Sequence, residues 1–299
     1  MDLRFSGHET FIARTFWPKK GYDFIKSKKK FSDKNTVVEL GVGKNMVSSI
    51  QFWMKAFGLL NEKDNSPTEF ADFIFGENGT DPFLEDIATI WLLHYHLVKT
   101  NYSTIYNFIF NDLRAERAIF NKQQLISFIN RKYSEIGNNS FNSNTINKDI
   151  SVFDRLYKKL DYSSVSGNFE EEINSVLLEL ELINTTVEEK LKEGSNKKEK
   201  IEWYHLHGEY RNNLPAEIVL FSILDNFQEA KNVAFRRLQT EPNSPGMVFL
   251  LSKDGLFKKL KEIEVLYSEI MISETAGNVV LSIPEGLNKW DILRNYYAD

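Results

Sequence analysis

Apolar residues recur at three- and four-residue intervals along much of this chain, which is the spacing of one face of an α-helix. The pattern predicts helices in six segments: Val47–Phe57, Ile87–Val98, Gln123–Tyr133, Thr145–Tyr157, Asn174–Leu182 and Ala216–Phe227. Short apolar runs typical of β-strands occur in the last third of the chain, at Met247–Leu251, Glu269–Ser273 and Asn278–Ile283. The sequence therefore predicts a mostly α protein with small β wings, in the α+β class.

Polar segments rich in turn-forming residues separate the helices and indicate where domains end. The clearest is the linker-like stretch Thr185–Lys200, and weaker breaks lie at Gly137–Ser143 and Asn61–Pro67. With 299 residues, the chain has the length of two or three domains. We expect three: a winged-helix-like domain over 1–110, a second helix-turn-helix-like domain over 111–184, and a C-terminal α/β interaction domain over 201–299.

A helix-turn-helix unit is predicted between residues 36 and 57. A short apolar helix ending at Leu40 meets Gly41–Gly43, a turn whose glycines can adopt positive φ. A second helix then starts at Lys44, and Gly58 can end it. In DNA-binding proteins with this arrangement, the second helix enters the major groove. The segment therefore predicts a DNA-reading helix.

The two sides of that second helix differ in polarity when residues are placed about 100° apart. Val47, Ile50 and Met54 fall on the core side. The other side and its flanks present side chains suited to base edges and phosphates, and these are the predicted contacts: Lys44, Asn45, Ser48, Ser49 and Lys55. Phe52 also points away from the core, where it would meet a partner, a thymine methyl group or another part of the chain. A buried helix without any partner is the alternative interpretation.

A second unit of the same kind is predicted between residues 121 and 157. Asn121 can cap one helix and Ser143 another, with turn-forming residues between them. The outward stripe of the second helix carries amides, a hydroxyl and cations, and supplies the remaining predicted DNA contacts: Asn144, Lys148, Ser151 and Arg155. A solvated surface helix with no ligand is the alternative here.

Charge is distributed unevenly, which supports the same interpretation. The net charge is −5, yet residues 1–63 hold twelve Lys/Arg against six Asp/Glu, and residues 101–160 hold nine against five. Residues 64–100 hold one against seven, and residues 161–299 hold fifteen against twenty-four. Both predicted DNA-reading helices thus lie in basic blocks, while the C-terminal region is acidic and is expected to bind protein rather than DNA.

Several kinds of catalytic or cofactor site are excluded or disfavoured by the residues present. The chain has no cysteine, so it has no disulfides, thiolate zinc sites or thiol nucleophile. The segment GVGKN lacks the serine or threonine that must follow the lysine of a phosphate-binding loop. We therefore expect no cofactor and no metal.

Histidines and carboxylates offer weak alternatives to that expectation. His94 and His96 cannot share a helix face, and His205 and His207 would share a strand face. The acidic cluster Asp81–Asp86 could hold a nuclease metal ion, but it is better explained as the start of the following helix. Ser6 and Glu9 have the spacing of a capping box that would open a helix.

The chain shows neither an apolar N-terminal core of the kind found in secretory signals nor a membrane-length apolar stretch. We therefore expect a cytoplasmic protein with no membrane partner.

Several phrases of the sequence together resemble a bacterial family known as domain-of-unknown-function family 4007. The N-terminal phrases are FSGHETF at 5–11, WPKKGYDF at 17–24, LGVGKNMVSSIQFWMKAFGL at 40–59 and DPFLEDIATIWLLHYHL at 81–97. The later ones are FND at 110–112, SNTINKDISVFDRLY at 143–157, SPGMVFLLS at 244–252 and ETAGN at 274–278. The resemblance covers nearly the whole chain but assigns no catalytic residue.

The resemblance implies a genomic setting rather than an activity. Genes of that family resemble components of phage-defence neighbourhoods, which points to DNA phosphorothioation systems. Together with the two basic helices, this predicts a non-catalytic, DNA-binding accessory or specificity subunit of a DNA-modification system, with double-stranded DNA and other defence proteins as partners. A protein–protein adaptor with winged-helix folds and a carboxylate-metal nuclease are the alternatives.

Overall fold

The computed structural model describes residues 3–137, 141–158, 175–191, 198–228 and 230–298. Their backbone is mostly helical, with two three-stranded antiparallel sheets, so the expected fold class is confirmed. They form two compact units. Unit 1 contains residues 1–108 and 117–206, and unit 2 contains residues 109–116 and 207–299.

The first half of unit 1 is helical. Its elements are α1 (Trp17–Lys26), α2 (Thr36–Leu40), α3 (Lys44–Ala56), α4 (Glu69–Phe75), α5 (Ile87–Thr100) and α6 (Thr104–Asn107). The most apolar of these is α5, whose Trp91, Leu92 and Leu93 are fully buried. The N-terminal segment contacts α3, where Trp53 Nε1 donates to the Phe11 carbonyl.

The second half of unit 1 combines two helices with a small sheet. Between the two halves of unit 1 the chain passes through a π-helix (Phe108–Leu113) and α7 (Arg114–Glu116), and residues 109–116 belong to unit 2. The elements of the second half are β1 (Ile119–Asn121), α8 (Lys122–Glu135), α9 (Ser143–Tyr157), a 3₁₀ turn (Leu178–Leu180), β2 (Asn184–Leu191) and β3 (Lys198–His205). Asn121 and Gln124 form a reciprocal capping box at the start of α8. The sheet order is β1-β3-β2, so the last strand is central.

The segment expected to be a linker is instead most of a β-hairpin. Strands β2 and β3 pair antiparallel over their full length, from Asn184 opposite His205 to Leu191 opposite Lys198. Lysines and glutamates face each other across the strands, and Lys198 Nζ lies 3.0 Å from Glu189 Oε2. The polar composition of the segment thus reflects exposed strands with matched charges. The six residues between the strands, 192–197, lie outside the described residues.

Unit 2 repeats the pattern of strand, helices and hairpin. Its elements are α10 (Ala216–Asn226), β4 (Asn232–Ala234), α11 (Phe235–Thr240), α12 (Pro245–Val248), α13 (Lys253–Leu266), β5 (Met271–Thr275), β6 (Asn278–Ser282) and α14 (Lys289–Ala298). The sheet order is β4-β6-β5, so here too the last strand is central. The expected third domain began at residue 201, within β3, whereas unit 2 takes up the chain at His207.

Two predicted elements are wrong. The described part of Asn174–Leu182 forms only the 3₁₀ turn at Leu178–Leu180 rather than an α-helix, and residue 174 lies outside the described residues. The apolar run Met247–Leu251 is the end of a short helix rather than a strand. Both runs are short, and short apolar runs do not distinguish helix from strand by period. No helix among the described residues is long and apolar enough to cross a membrane.

Candidate nucleic-acid interface

The first helix-turn-helix has the local geometry that its glycines predict. Helix α2 ends at Gly41, which adopts the left-handed conformation with φ of 61°. Gly43 is the residue before α3 and is extended, with φ of −65° and ψ of 158°. After α3, Gly58 again has positive φ, and an antiparallel bridge joins Leu60 to Pro67. A tight polar turn therefore follows α3, as expected.

Three of the five predicted contacts on α3 are solvent-exposed. Lys44, Asn45 and Ser48 form the open side of the first turns of the helix. Among the residues that the structure describes, Lys44 has no ion pair. These side chains can meet a polyanion without breaking a hydrogen bond or ion pair to any residue that the structure describes.

The prediction that Ser49 contacts DNA is wrong, because its side chain is fully buried at 0% exposure. Phe52 and Ala56, which follow it at helical spacing, are buried as well. This side of α3 is covered by the N-terminal segment and by Tyr102, whose ring lies 5.3 Å from that of Phe52. Of the three roles open to Phe52, the structure selects packing within the chain. Helix α3 thus exposes only a narrow polar strip.

Lys55 is held by its own unit. Its Nζ donates to the Glu62 carbonyl at 2.8 Å, and its side chain is half-buried. Burial lowers the pKa of Lys55, Arg4 lowers it further, and Glu62 acts in the opposite direction. Its charge therefore contributes to the local potential, but its ammonium group already has a hydrogen-bond acceptor.

Helix α9 presents the second set of predicted contacts. Asn142, one residue earlier than the expected Ser143, caps the helix by accepting from the Asn144 and Thr145 backbone N–H groups. Asn144, Lys148 and Ser151 are exposed. Lys148, like Lys44, has no ion pair within the part of the chain that the structure describes.

Arg155 is the exception on α9. Its Nη2 donates to the Thr10 carbonyl at 2.6 Å and its Nε to the Ser151 carbonyl at 3.3 Å. It therefore anchors the N-terminal segment to α9. A guanidinium with two backbone partners has less freedom to follow a phosphate than the exposed Lys148 does.

A buried contact that sequence reasoning missed links this N-terminal segment to α9. His8 and Asp149 are 2% and 1% exposed, and His8 Nε2 bonds to Asp149 Oδ1. Both Asp149 oxygens also accept from the Ser6 backbone N–H, each at 3.0 Å. The sequence interval of 141 residues between His8 and Asp149 explains why no local pattern reveals the pair.

The hydrogen bonds around His8 assign its tautomer. The Thr10 backbone N–H donates to His8 Nδ1 at 3.1 Å, so that nitrogen carries a lone pair. The proton therefore lies on Nε2 and is donated to the Asp149 carboxylate. Ser6, Gly7, Glu9 and Thr10 all have positive φ, so the predicted capping box at Ser6 and Glu9 is wrong. The segment is a tight loop around a carboxylate.

Gly7 is the residue of this loop that must be glycine. Its φ is 98°, and a Cβ placed on it would lie 2.8 Å from Phe52 Cδ2.

We expect Gly7→Ala to lower the free energy of unfolding by about 2 kcal/mol, from backbone strain and overpacking. Urea denaturation followed by circular dichroism measures it. Gly43→Ala is the control, since a Cβ there meets nothing within 4 Å; equal midpoints for the two variants would contradict the assignment.

A cleft of about 570 Å³ lies between α8, α9 and β3. Asp154 lines it, and burial raises the pKa of Asp154 to about 6, with Glu202 adding to the effect. A hydrogen bond from Tyr204 and the charges of Lys158 and Lys122 act in the opposite direction. One oxygen of Asp154 has no hydrogen-bond partner among the described residues.

The acidic cluster at 81–86 works as a helix start. Asp86 is the cap of α5 and accepts from the Ala88 backbone N–H at 2.8 Å. Buried Asp81 accepts from the backbone N–H groups of Glu85 and Asp86 and from Thr89 Oγ1.

The predicted histidine pair on a strand face is wrong, because strand β3 ends at His205 and His207 lies beyond it. Across the residues that the structure describes, no three His, Asp or Glu side chains converge on one possible metal position.

Comparison with known proteins gives a family and a fold. A family model described as "Protein of unknown function (DUF4007)" matches residues 5–297. A solved structure titled "SspB crystal structure" is 25% identical, with a TM-score of 0.79 over 98% of this chain and 88% of that one. A second, titled "Magnesium ion-bound SspB crystal structure", is 24% identical, with a TM-score of 0.78 and the same coverage. No curated protein matches.

Proposed function

The chain belongs to the DUF4007 family, and we propose that it is a DNA-binding accessory or specificity subunit of a bacterial DNA-modification and phage-defence system, without a catalytic centre of its own. The observation that carries the proposal is the pair of exposed polar strips on α3 and α9. Each begins at the start of the second helix of a helix-turn-helix and carries a lysine with no ion pair among the described residues.

The topology around α9 supports the proposal. Strand β1, helices α8 and α9, and the β2–β3 hairpin follow one another, and the last strand lies between the other two. We infer that this is a winged helix, with α9 as the helix that enters the major groove and the hairpin as the wing. Lys200 of the hairpin lines the same cleft as Asn147 of α9, which places one hairpin lysine beside that helix, whereas Lys198 is paired with Glu189.

The exposed side chains form two groups, one suited to phosphates and the other to base edges of duplex DNA. Lys44 and Lys148 would pair with phosphates and set the register of the protein on the duplex. Asn45, Ser48, Asn144 and Ser151 would then approach base edges or sugar oxygens. Lys55 and Arg155 contribute charge from positions that their backbone contacts hold in place, and buried Ser49 has no part in binding.

The setting in DNA modification is supported by the resemblance of the sequence to a family found among phage-defence genes. The similarity to structures titled SspB extends over 98% of the chain, so it concerns the whole molecule rather than a single module. Outward-facing Phe52 and the net charge of −5 favoured the adaptor alternative, and the first of these is lost because Phe52 is buried.

The proposal predicts salt-dependent binding that depends on two lysines. We expect Lys44→Ala with Lys148→Ala to weaken binding of a 20-base-pair duplex by about tenfold, and to lower the slope of log affinity against log salt by about 2. Fluorescence anisotropy over a salt series measures both quantities. Lys19→Ala with Lys26→Ala is the matched control, because these lysines pair with Asp23 and Asp72 on the α1 side of the unit.

Two outcomes would overturn the proposal. Absence of duplex binding by the unmodified chain at micromolar concentration would remove DNA as the ligand. The second outcome is conversion of supercoiled plasmid to open circles in Mg²⁺ that is lost in Asp86→Ala. It would contradict the absence of a catalytic centre and favour the carboxylate-metal nuclease instead. The magnesium arm is chosen because one of the similar structures is titled as magnesium-bound.

A further inference from the structure

A groove of about 530 Å³ crosses unit 2 where α11, the start of α13 and the β5–β6 hairpin meet. Apolar side chains form much of it, and polar ones stand at its edges. The polar residues that line it are Arg236, Gln239, Thr240, Lys253, Glu274 and Asn278. Neither the sequence patterns nor the function proposed above uses this groove.

The elements around the groove have the same connection as those around α9. A strand (β4) precedes the helices, a hairpin (β5–β6) follows, and the last strand is central in both sheets. Helix α13 takes the place of α9, and its cap is Ser252, which accepts from the Gly255 backbone N–H. In the scheme of a winged helix, the groove therefore lies between the helix that reads DNA and its wing.

The buried positions of α9 and α13 also have the same spacing along the sequence. On α9 the buried positions include Ile146, Asp149, Ile150 and Phe153. Shifting each number by 110 gives four residues of α13 that are buried as well: Leu256, Lys259, Leu260 and Ile263. The same shift relates exposed Lys148 to exposed Lys258. The corresponding sides of α9 and α13 thus face outward from their own units.

The charges on the groove favour a polyanion. Arg236 on α11 and Lys253 at the first position of α13 are exposed, and neither has an ion pair within the described ranges. The first turn of a helix also presents backbone N–H groups and the positive end of the helix dipole. Glu274, on the hairpin, is the one acidic residue among those that line the groove.

We propose that this groove is a second contact site for the sugar–phosphate backbone of duplex DNA. Arg236 and Lys253 pair with phosphates from the two helices, and Asn278 on the hairpin hydrogen-bonds the backbone from the other wall. The proposal rests on the DNA-binding function above and extends it to unit 2, a region whose overall acidity favoured a protein partner.

The test uses the full chain and a 20-base-pair duplex. Arg236→Ala with Lys253→Ala should weaken binding by about tenfold and lower the salt slope by about 2, because two phosphate contacts are lost. Glu274→Gln should strengthen binding, because it removes a repelling charge from the groove. The control is Lys231→Ala with Arg294→Ala, two cations of unit 2 outside the groove that pair with Glu285 and Asp291. Thermal denaturation confirms that each variant is folded.

The outcomes separate this inference from the function on which it rests. If Lys44→Ala with Lys148→Ala weakens binding while Arg236→Ala with Lys253→Ala leaves affinity and salt slope unchanged, the groove is not a DNA site and the function proposed for unit 1 stands. If the unmodified chain binds no duplex, both fail. Loss of affinity with the groove variants at an unchanged slope also overturns the proposal, because lost phosphate contacts must alter the slope.

Discussion

Replacing Asp149 with Ala is expected to lower the free energy of unfolding of unit 1 by about 3 kcal/mol. The substitution removes a buried carboxylate that accepts from the Ser6 backbone N–H and from His8 Nε2. The His8 donor would then be buried without an acceptor, and the Ser6 backbone N–H would lose both of its carboxylate acceptors. The loop at residues 6–10 would lose one of its anchors on α9 and keep the hydrogen bond from Arg155 to the Thr10 carbonyl.

Differential scanning calorimetry measures this effect as a lower melting temperature, by about 6–12 °C for a unit of this size. Asp149→Asn should fall between the Ala variant and the unmodified chain, because its side-chain oxygen can still accept one of the bonds. Asp23→Ala is the control, since Asp23 is exposed and pairs only with Lys19 among the described contacts. A melting temperature of Asp149→Ala equal to that of the control would show that the His8–Asp149 contact does not hold unit 1 together.

Replacing Asp154 with Asn is expected to stabilise unit 1 at pH 8 by up to about 3 kcal/mol. The pKa of Asp154 is raised from 3.8 to about 6, chiefly by burial. Between these two values the folded state binds a proton that the unfolded state releases. The free energy of unfolding therefore falls as pH rises through this window and stays reduced above it. An asparagine avoids that loss and can still accept from Tyr204.

Chemical denaturation at a series of pH values tests this sign. The advantage of Asp154→Asn should be largest above pH 6.5 and should shrink towards pH 4, where the carboxyl is neutral in the folded state. Asp64→Asn is the control of opposite sign, because hydrogen bonds from Ser66 lower the pKa of Asp64. An advantage of Asp154→Asn that is independent of pH would assign the gain to packing rather than to the buried charge.

Local signals account for the parts of the fold that the sequence predicted well. Helix α3 follows a glycine turn and α8 follows a capping box, and each signal lies within a few residues of the element it starts. The exposed positions Lys44 and Lys148 were identified for the same reason, since helical periodicity fixes which residues share a side. Their role in DNA binding remains a prediction.

Other features depend on segments far apart in the chain. Ser49 and Phe52 lie on a side that periodicity alone marks as outward, and they are buried because the N-terminal loop and Tyr102 cover them. The polar run after residue 184 has the composition of a linker, yet its described residues form strands β2 and β3, which pair with each other in antiparallel register. The sequence of a segment does not show which distant residues will bury it or which strand will pair with it.

The sequence by itself determined the helical class, helices α3, α8 and α9, and the family, because caps, turns and periodicity act over a few residues. Tertiary structure alone decided the His8–Asp149 contact, the burial of Ser49, the raised pKa of Asp154 and the groove of unit 2. Each of these depends on which surfaces meet, and burial, hydrogen-bond partners and electrostatic environment exist only after distant segments have packed together.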